Sequence, residues 1–143
     1  MVKRIRGSIV CVHNGSLLVF KGVDPDSGKV YWLLPGGAIE PGEKAWECAE
    51  RETMEETGYR VHVLRDTELK KEYPFTWDKI PYDCTTYFYK GVLKDKFVPP
   101  SPVQDVSYNK GAYWLPLTEA EKAFSYNTEI QEAVLRLIDS GND

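Results

Sequence analysis

The glutamates at positions 52, 55 and 56 are the residues of this 143-residue chain best placed to do chemistry. From Glu43 to Thr57 the sequence has no Gly or Pro and is rich in Ala, Glu, Arg and Met, and Gly58 follows. That composition predicts a helix stopped by Gly58 in the left-handed C-terminal position. On such a helix Glu52, Glu55 and Glu56 stand at i, i+3 and i+4 and share one face. Three anions near a helix C-terminus repel one another and oppose the macrodipole, at roughly a few tenths of a kcal/mol each. A solvated acidic face is the ordinary explanation of such a cluster. Here, however, Ala45, Ala49 and Thr53 form a stripe of small residues suited to close packing on a sheet. At about 100° per residue, Glu52 and Glu56 flank that stripe, at the edge of a buried interface. Clustered carboxylates there are costly without a cation. Oxygen donors of this kind suit Mg²⁺ or Mn²⁺, which retain coordination positions for water and substrate phosphate. The metal neutralises phosphate charge and activates water, and a neighbouring carboxylate can accept the proton.

Other residues bear on the same chemistry. Gly36-Gly37 precedes the helix and lets backbone approach a ligand without Cβ interference, although a double glycine is more often a simple turn. Arg51 lies four residues from both Glu47 and Glu55 and could only bridge surface charges, worth about 0.3–0.5 kcal/mol per pair. The functional alternative is that it holds a catalytic carboxylate such as Glu43 in position. The segment Glu72–Tyr82 contains Tyr73, Phe75, Trp77 and Tyr82, and core packing accounts for most of them. If one of them is a stacking surface for a base, Trp77 is the candidate. Lys70, Lys71 and Lys79 are candidates for phosphate contacts.

These residues need a scaffold. Val2–Val12 reads as a strand, turned by His13-Asn14-Gly15-Ser16 into Leu17–Phe20 as a hairpin. A second turn at Asp24–Gly28 leads to the apolar run Val30–Leu34, ended by Pro35-Gly36-Gly37 as a loop. Tyr59–Leu64, Glu68–Phe75, Thr85–Leu93 and Gly111–Leu115 read as strands, with a proline-bearing loop at Phe97–Ser107. Thr118–Glu121 fits a capping box. A last helix from near Asn127 places Ile130, Ala133, Val134, Leu137 and Ile138 on one face. The length and the absence of a linker predict one α/β domain over residues 1–143.

Composition narrows the partners. The net charge of −4 disfavours broad binding to duplex nucleic acid, which needs many basic contacts to phosphate. No apolar run approaches the ~20 residues of a membrane helix, and no secretory h-region follows the basic N-terminus. A cytoplasmic setting is therefore the expectation. Cys11, Cys48 and Cys84 are scattered, odd in number and free of CxxC spacing, so neither a disulfide framework nor a zinc site is expected.

The stretch Gly37–Tyr59 resembles the Nudix box, G-x5-E-x7-R-E-U-x-E-E-x-G-U, where U is a bulky aliphatic. Gly37, Glu43, Arg51, Glu52, Glu55, Glu56 and Gly58 occupy the fixed positions at the correct spacing. Thr53 and Tyr59 depart from the aliphatic positions. Trp32–Gly37 and Trp114–Leu117 with Glu119 are similar to the family's flanking segments. The resemblance implies an α/β/α sandwich with a mixed sheet between helices. It also implies that Glu52 and Glu56 are the principal metal ligands and that Glu55 is a ligand or the water-activating base. The Gly37 carbonyl would face the metal, and Arg51 would orient Glu43. Asp105 is the candidate for a further acidic residue before the late strand. The implied activity is hydrolysis of a diphosphate linkage in a nucleotide-like small molecule, with a nucleoside triphosphate as the leading substrate. Dinucleoside polyphosphates, RNA 5′ ends and nucleotide sugars are alternatives. A catalytically silent nucleotide sensor is the rival from another class. Related domains often form homodimers, but the sequence itself carries no signal for oligomeric state.

Overall fold

Ile9-Val10-Cys11 is an uninterrupted apolar run inside a strand, the pattern of a strand covered on both faces. All three residues are fully buried in the computed structural model, which describes residues 1–94 and 109–139. Their strand, β1 (Val2–His13), is the centre of a mixed sheet. It turns through Asn14-Gly15 into β2 (Ser16–Val23), which pairs antiparallel with β3 (Val30–Leu33). A short β4 (Gly36–Ala38) lies antiparallel to β1. Helix α1 (Ala45–Thr57) follows, then the long hairpin of β5 (Val61–Trp77) and β6 (Ile80–Leu93). β6 runs parallel to β1, and β7 (Asn109–Pro116) pairs antiparallel with β2. The chain ends in a 3-10 turn (Leu117–Glu119), a one-turn helix α2 (Ala120–Ala123) and α3 (Thr128–Asp139).

The two faces of the sheet carry separate cores. Ile9, Cys11, Leu18, Val61, Val63 and Tyr89 pack with Ala49 of α1. Val10, Leu17, Val19, Phe88 and Leu115 pack on the other face with Phe124 and with Ile130, Ala133, Val134 and Leu137 of α3. This is the α/β/α sandwich with a mixed sheet. None of the helices, among the described residues, is long and apolar enough to cross a membrane.

Several expectations are corrected. Gly36–Ala38 is a strand rather than loop, because its backbone completes the edge of β1. The strands expected at Tyr59–Leu64 and Glu68–Phe75 are a single strand, β5, which starts at Val61 and carries a register shift between Leu64 and Leu69. There the Thr67 hydroxyl donates to the Leu64 carbonyl (2.5 Å) and accepts the Lys90 N–H (2.8 Å). These bonds satisfy backbone groups that the irregular ladder leaves over. The Thr118 capping box does not form. Pro116 lacks an N–H and the Leu117 N–H is held by the Gly15 carbonyl, so the chain tightens into a 3-10 turn instead. Asn127 caps α3, its Oδ1 accepting from the N–H groups of Glu129 and Ile130. The Phe97–Ser107 loop lies outside the described residues.

The contact between α1 and β1 is the one that positions the carboxylates. A Cβ at Gly7 would stand 2.3 Å from the Ala45 carbonyl oxygen, so the helix start and the strand meet backbone to backbone. Gly7→Ala is expected to destabilise the fold by about 1–3 kcal/mol, since α1 itself must move. Gly91→Ala meets the Cδ1 and Cγ1 of the Ile9 side chain, with the nearest backbone atom, the His62 carbonyl oxygen, at an ordinary 3.5 Å, and should cost less because a side chain rather than a helix must shift. Urea unfolding of the two variants checks the order.

Candidate active site

Helix α1 presents its small stripe to the sheet: Ala49 and Thr53 are fully buried, and Gly58 closes the helix at φ 80°. Thr53, at a position that resemblance assigns to an aliphatic, satisfies its hydroxyl by donating to the Ala49 carbonyl (2.6 Å). Thr57 does the same to Thr53 (2.6 Å). Tyr59, the other departure, accepts from the Trp114 indole N–H (3.2 Å) and meets its ring edge-on. Both substitutions therefore keep the helix seated.

With that face buried, Glu52 and Glu56 lie at the edge of the interface. Glu56 is 5% exposed, and its Oε1 accepts the Gly36 N–H at 2.8 Å. Glu52 lies against Gly37 so closely that a Cβ there would fall 2.5 Å from the carboxyl carbon. Glycine is thus required at position 37 by contact with Glu52. Burial pushes the Glu52 carboxyl up, although Arg51 opposes the shift. Glu55 is the more accessible of the three, with its side chain 37% exposed.

Arg51 is drawn to Glu43 rather than Glu47. Its Nε and Nη2 donate to the two Glu43 oxygens at 2.7 and 3.1 Å, a bidentate pair. Nη1 donates to Glu52 Oε2 (2.7 Å) and Glu55 Oε1 (3.1 Å), and Nη2 also reaches the Ala38 carbonyl (3.2 Å). The bonds to Glu43, and then those to Glu52 and Glu55, hold the guanidinium well above its ordinary range. Among the described residues no three acidic, His or Cys side chains converge as a ready ligand set. Arg51 has drawn Glu52 and Glu55 toward itself, while Glu56 rests on the Gly36 N–H. The donors are all hard oxygens, and the crowded, partly buried carboxylates fit a divalent cation that would relieve their repulsion. The Gly37 carbonyl faces the Cys48 thiol (3.2 Å), whose proton burial retains, pushing the group up to about 11. Cys48 is accordingly an inert packing group.

Glu52, Glu55 and Glu56, together with Gly37, line one cavity of about 440 Å³. The rest of its wall is largely apolar and aromatic, including Phe20, Leu33, Tyr73, Phe75, Trp77 and Tyr126. Trp77 thus shares the cavity with the carboxylates. It stacks on Phe75 (6.3 Å, 20°), and Tyr31 meets both rings and the Tyr126 ring (4.8 Å). Asp24 ties this wall together: its Oδ1 accepts from the N–H groups of Asp26 (2.9 Å) and Asp78 (3.2 Å), joining the β2–β3 turn to the tip of the β5–β6 hairpin.

Lys79 is not brought into the cavity. It stands at the hairpin tip, 78% exposed, 3.6 Å from Asp26, at a turn residue with φ 70°. Lys71 is engaged by Glu129 and Glu132 of α3, and Lys70 lies over the Tyr87 ring. Asp105 lies outside the described residues. Sequence reasoning missed Arg4, Arg6, Tyr31 and Tyr126. Alternation along β1 puts Arg4 and Arg6 on one face, but only the assembled sheet shows that this face floors the cavity.

The NUDIX domain family model matches residues 3–137. A putative 8-oxo-dGTP diphosphatase of Bacillus subtilis is 46% identical over 58 residues, 39% of this chain and 36% of the relative. An RNA pyrophosphohydrolase of Dinoroseobacter shibae is 35% identical over 88 residues, 62% of this chain and 51% of the relative. The chain thus spans about half or less of the length of these curated relatives. Among solved structures, a MutT protein from Methanosarcina mazei Go1 superposes with a TM-score of 0.68 at 16% identity, covering 99% of this chain and 97% of the other. A C. elegans Ap4A hydrolase gives 0.66 at 22% identity, with 98% of each chain covered.

The bidentate pair makes a pH prediction. The hydrogen bonds from Arg51 hold the Glu43 carboxyl below its ordinary value of 4.5, so its folded value lies below that of the unfolded chain. The stability this supplies is complete above the ordinary carboxylate range and is lost as pH falls through the lowered folded value. The stability gap between wild type and Glu43→Gln, measured by urea unfolding, should be constant from about pH 8 to about pH 6 and shrink below about pH 4.5.

Proposed function

Because the chain belongs to the Nudix family, we propose that it is a divalent-metal-dependent hydrolase that cuts a diphosphate linkage in a nucleoside diphosphate-X substrate, a nucleoside triphosphate first among these. The observation that carries this reading is the sharing of one cavity by three clustered glutamates and an aromatic wall. Its volume of about 440 Å³ suits a nucleotide-sized ligand. Bound Mg²⁺ or Mn²⁺ supplies charge neutralisation at phosphate and a more acidic water.

Glu52 and Glu56 are the residues that would hold the metal, being the least exposed of the cluster and both lying against the Gly36–Gly37 backbone. Glu55 is the more accessible carboxylate and accepts the proton of the attacking water. Arg51 keeps Glu43 ionised and fixed, and limits the repulsion between Glu52 and Glu55. Phe75 and Trp77 offer flat rings to a nucleobase. A silent sensor would not need to retain this whole carboxylate set. The similarity to an RNA pyrophosphohydrolase over 88 residues supports an RNA 5′ end as the second reading.

With Mg²⁺ present, a panel of nucleoside triphosphates, dinucleoside polyphosphates and 5′-triphosphorylated RNA should yield phosphate or pyrophosphate, and chelator should abolish turnover. Chelator-resistant turnover would refute the mechanism. Glu56→Gln should lower kcat by about 10²-fold or more, with thermal stability in metal-free buffer unchanged or raised. Trp77→Ala should raise KM by roughly ten- to a hundredfold, the equivalent of losing one base stack; an unchanged KM removes Trp77 from the base site.

A further inference from the structure

Two cations floor the cavity that no part of the diphosphate chemistry above has used. Arg4 and Arg6 stand two residues apart on β1, so both side chains leave the same face of the sheet, and both line the cavity with Ser8. Arg6 is paired in register with Ala38 of β4 on one side and with Thr86 of β6 on the other. It therefore lies between the strand that borders the glutamates and the strands that carry the aromatic wall. Its side chain hydrogen-bonds Tyr73, and Glu56 and Cys84 are the other charged or polar groups that act on it. Arg4 lies 4.8 Å from the centre of the Tyr82 ring.

The contrast with Arg51 is informative. Arg51 spends its donors on Glu43, Glu52, Glu55 and the Ala38 carbonyl. The ion pairs among the described residues involve Lys3, Arg51, Lys71, Lys79 and Arg136 and neither Arg4 nor Arg6, whose neighbours are instead the Tyr82 ring for Arg4 and Tyr73 with the Glu56 charge for Arg6. The cavity also lacks charge balance: Glu40, Glu52, Glu55 and Glu56 line it against only Arg4 and Arg6. An anionic ligand entering such a space needs a cation beyond the metal-binding end. A guanidinium supplies it as a planar fork that matches two non-bridging phosphate oxygens.

We propose that Arg6, backed by Arg4, is the phosphate-binding cation of this cavity, holding the substrate phosphate that bridges the glutamate cluster and the aromatic wall. This rests on the reading that the cavity takes a nucleotide, and it adds the element that gives the substrate its direction. The base lies toward Trp77, one phosphate lies over Arg6, and the linkage to be cut lies beyond it at the glutamates. A charge-assisted hydrogen-bonded contact of this kind corresponds to about tenfold or more in affinity.

The test is calorimetric titration of the full chain with inorganic tripolyphosphate, and with non-hydrolysable adenosine and guanosine triphosphate analogues, in the presence of Ca²⁺. Arg6→Gln should weaken all three by about tenfold or more, with Arg6→Lys intermediate because it keeps the charge and loses the fork. Lys3→Gln removes a charge from the same strand at an exposed residue ion-paired with Asp83 and should bind as wild type. In turnover assays Arg6→Gln should raise KM more than it lowers kcat. Wild-type affinity of Arg6→Gln for tripolyphosphate overturns the proposal. So does a loss confined to the guanosine analogue, which would make Arg6 a reader of the base edge. A wild-type chain that binds these ligands but hydrolyses no nucleotide would sink the proposed function and leave the Arg6 assignment standing on the titrations. Failure of wild type to bind any of them would sink both.

Discussion

Glu40, Glu43, Glu52 and Glu55 all approach the Arg51 guanidinium within ion-pair distance, and the arrangement of the site follows from that one cation. The side chain is only 25% exposed, so its bonds are less screened than those of a surface pair. Its fork matches Glu43 on one edge, which fixes the loop ahead of α1 to the helix. Its other nitrogen takes Glu52 and Glu55 and lets two carboxylates sit a turn apart without a metal. Glu56 accepts the Gly36 N–H, which holds the helix to β4. Arg51 is thus the counterion of the free protein and the brace that aims the carboxylates.

The layout of α1 was legible in the sequence because helical spacing is a local property. Positions 52, 55 and 56 had to share a face, and Ala45, Ala49 and Thr53 had to mark the buried one. Strands β1 and β2 and helix α3 were legible for the same reason. The misreadings arose where a long-range partner decides the structure. Gly36–Ala38 is a strand only because β1 is beside it. Glu68–Phe75 joins Tyr59–Leu64 only because Thr67 repairs the ladder against β6. Lys79 looked well placed on an aromatic segment, yet the turn at Asp78-Lys79 throws it to the outside.

Arg4 and Arg6 illustrate the same limit from the functional side. In the sequence they belong to a basic N-terminal run of no evident use. The sheet turns the even-numbered residues of that run into a cavity and gives the odd-numbered ones to the opposite face, where Lys3 meets Asp83. Period-2 alternation predicts the sorting but not the destination. That depends on β4, β6 and α3, drawn from distant parts of the chain.

The Asp24 link between two hairpin ends has a consequence for how such a protein diversifies. Rings of the aromatic wall stand on β3 and β5, and a single carboxylate ties the turn before β3 to the turn after β5. Lengthening or shortening either hairpin would resize the aromatic end of the cavity while the glutamates and Arg51 stayed in register. The carboxylate helix and the aromatic wall are thus built on separately adjustable parts of the fold, and Asp24 is the seam at which the second part is fastened.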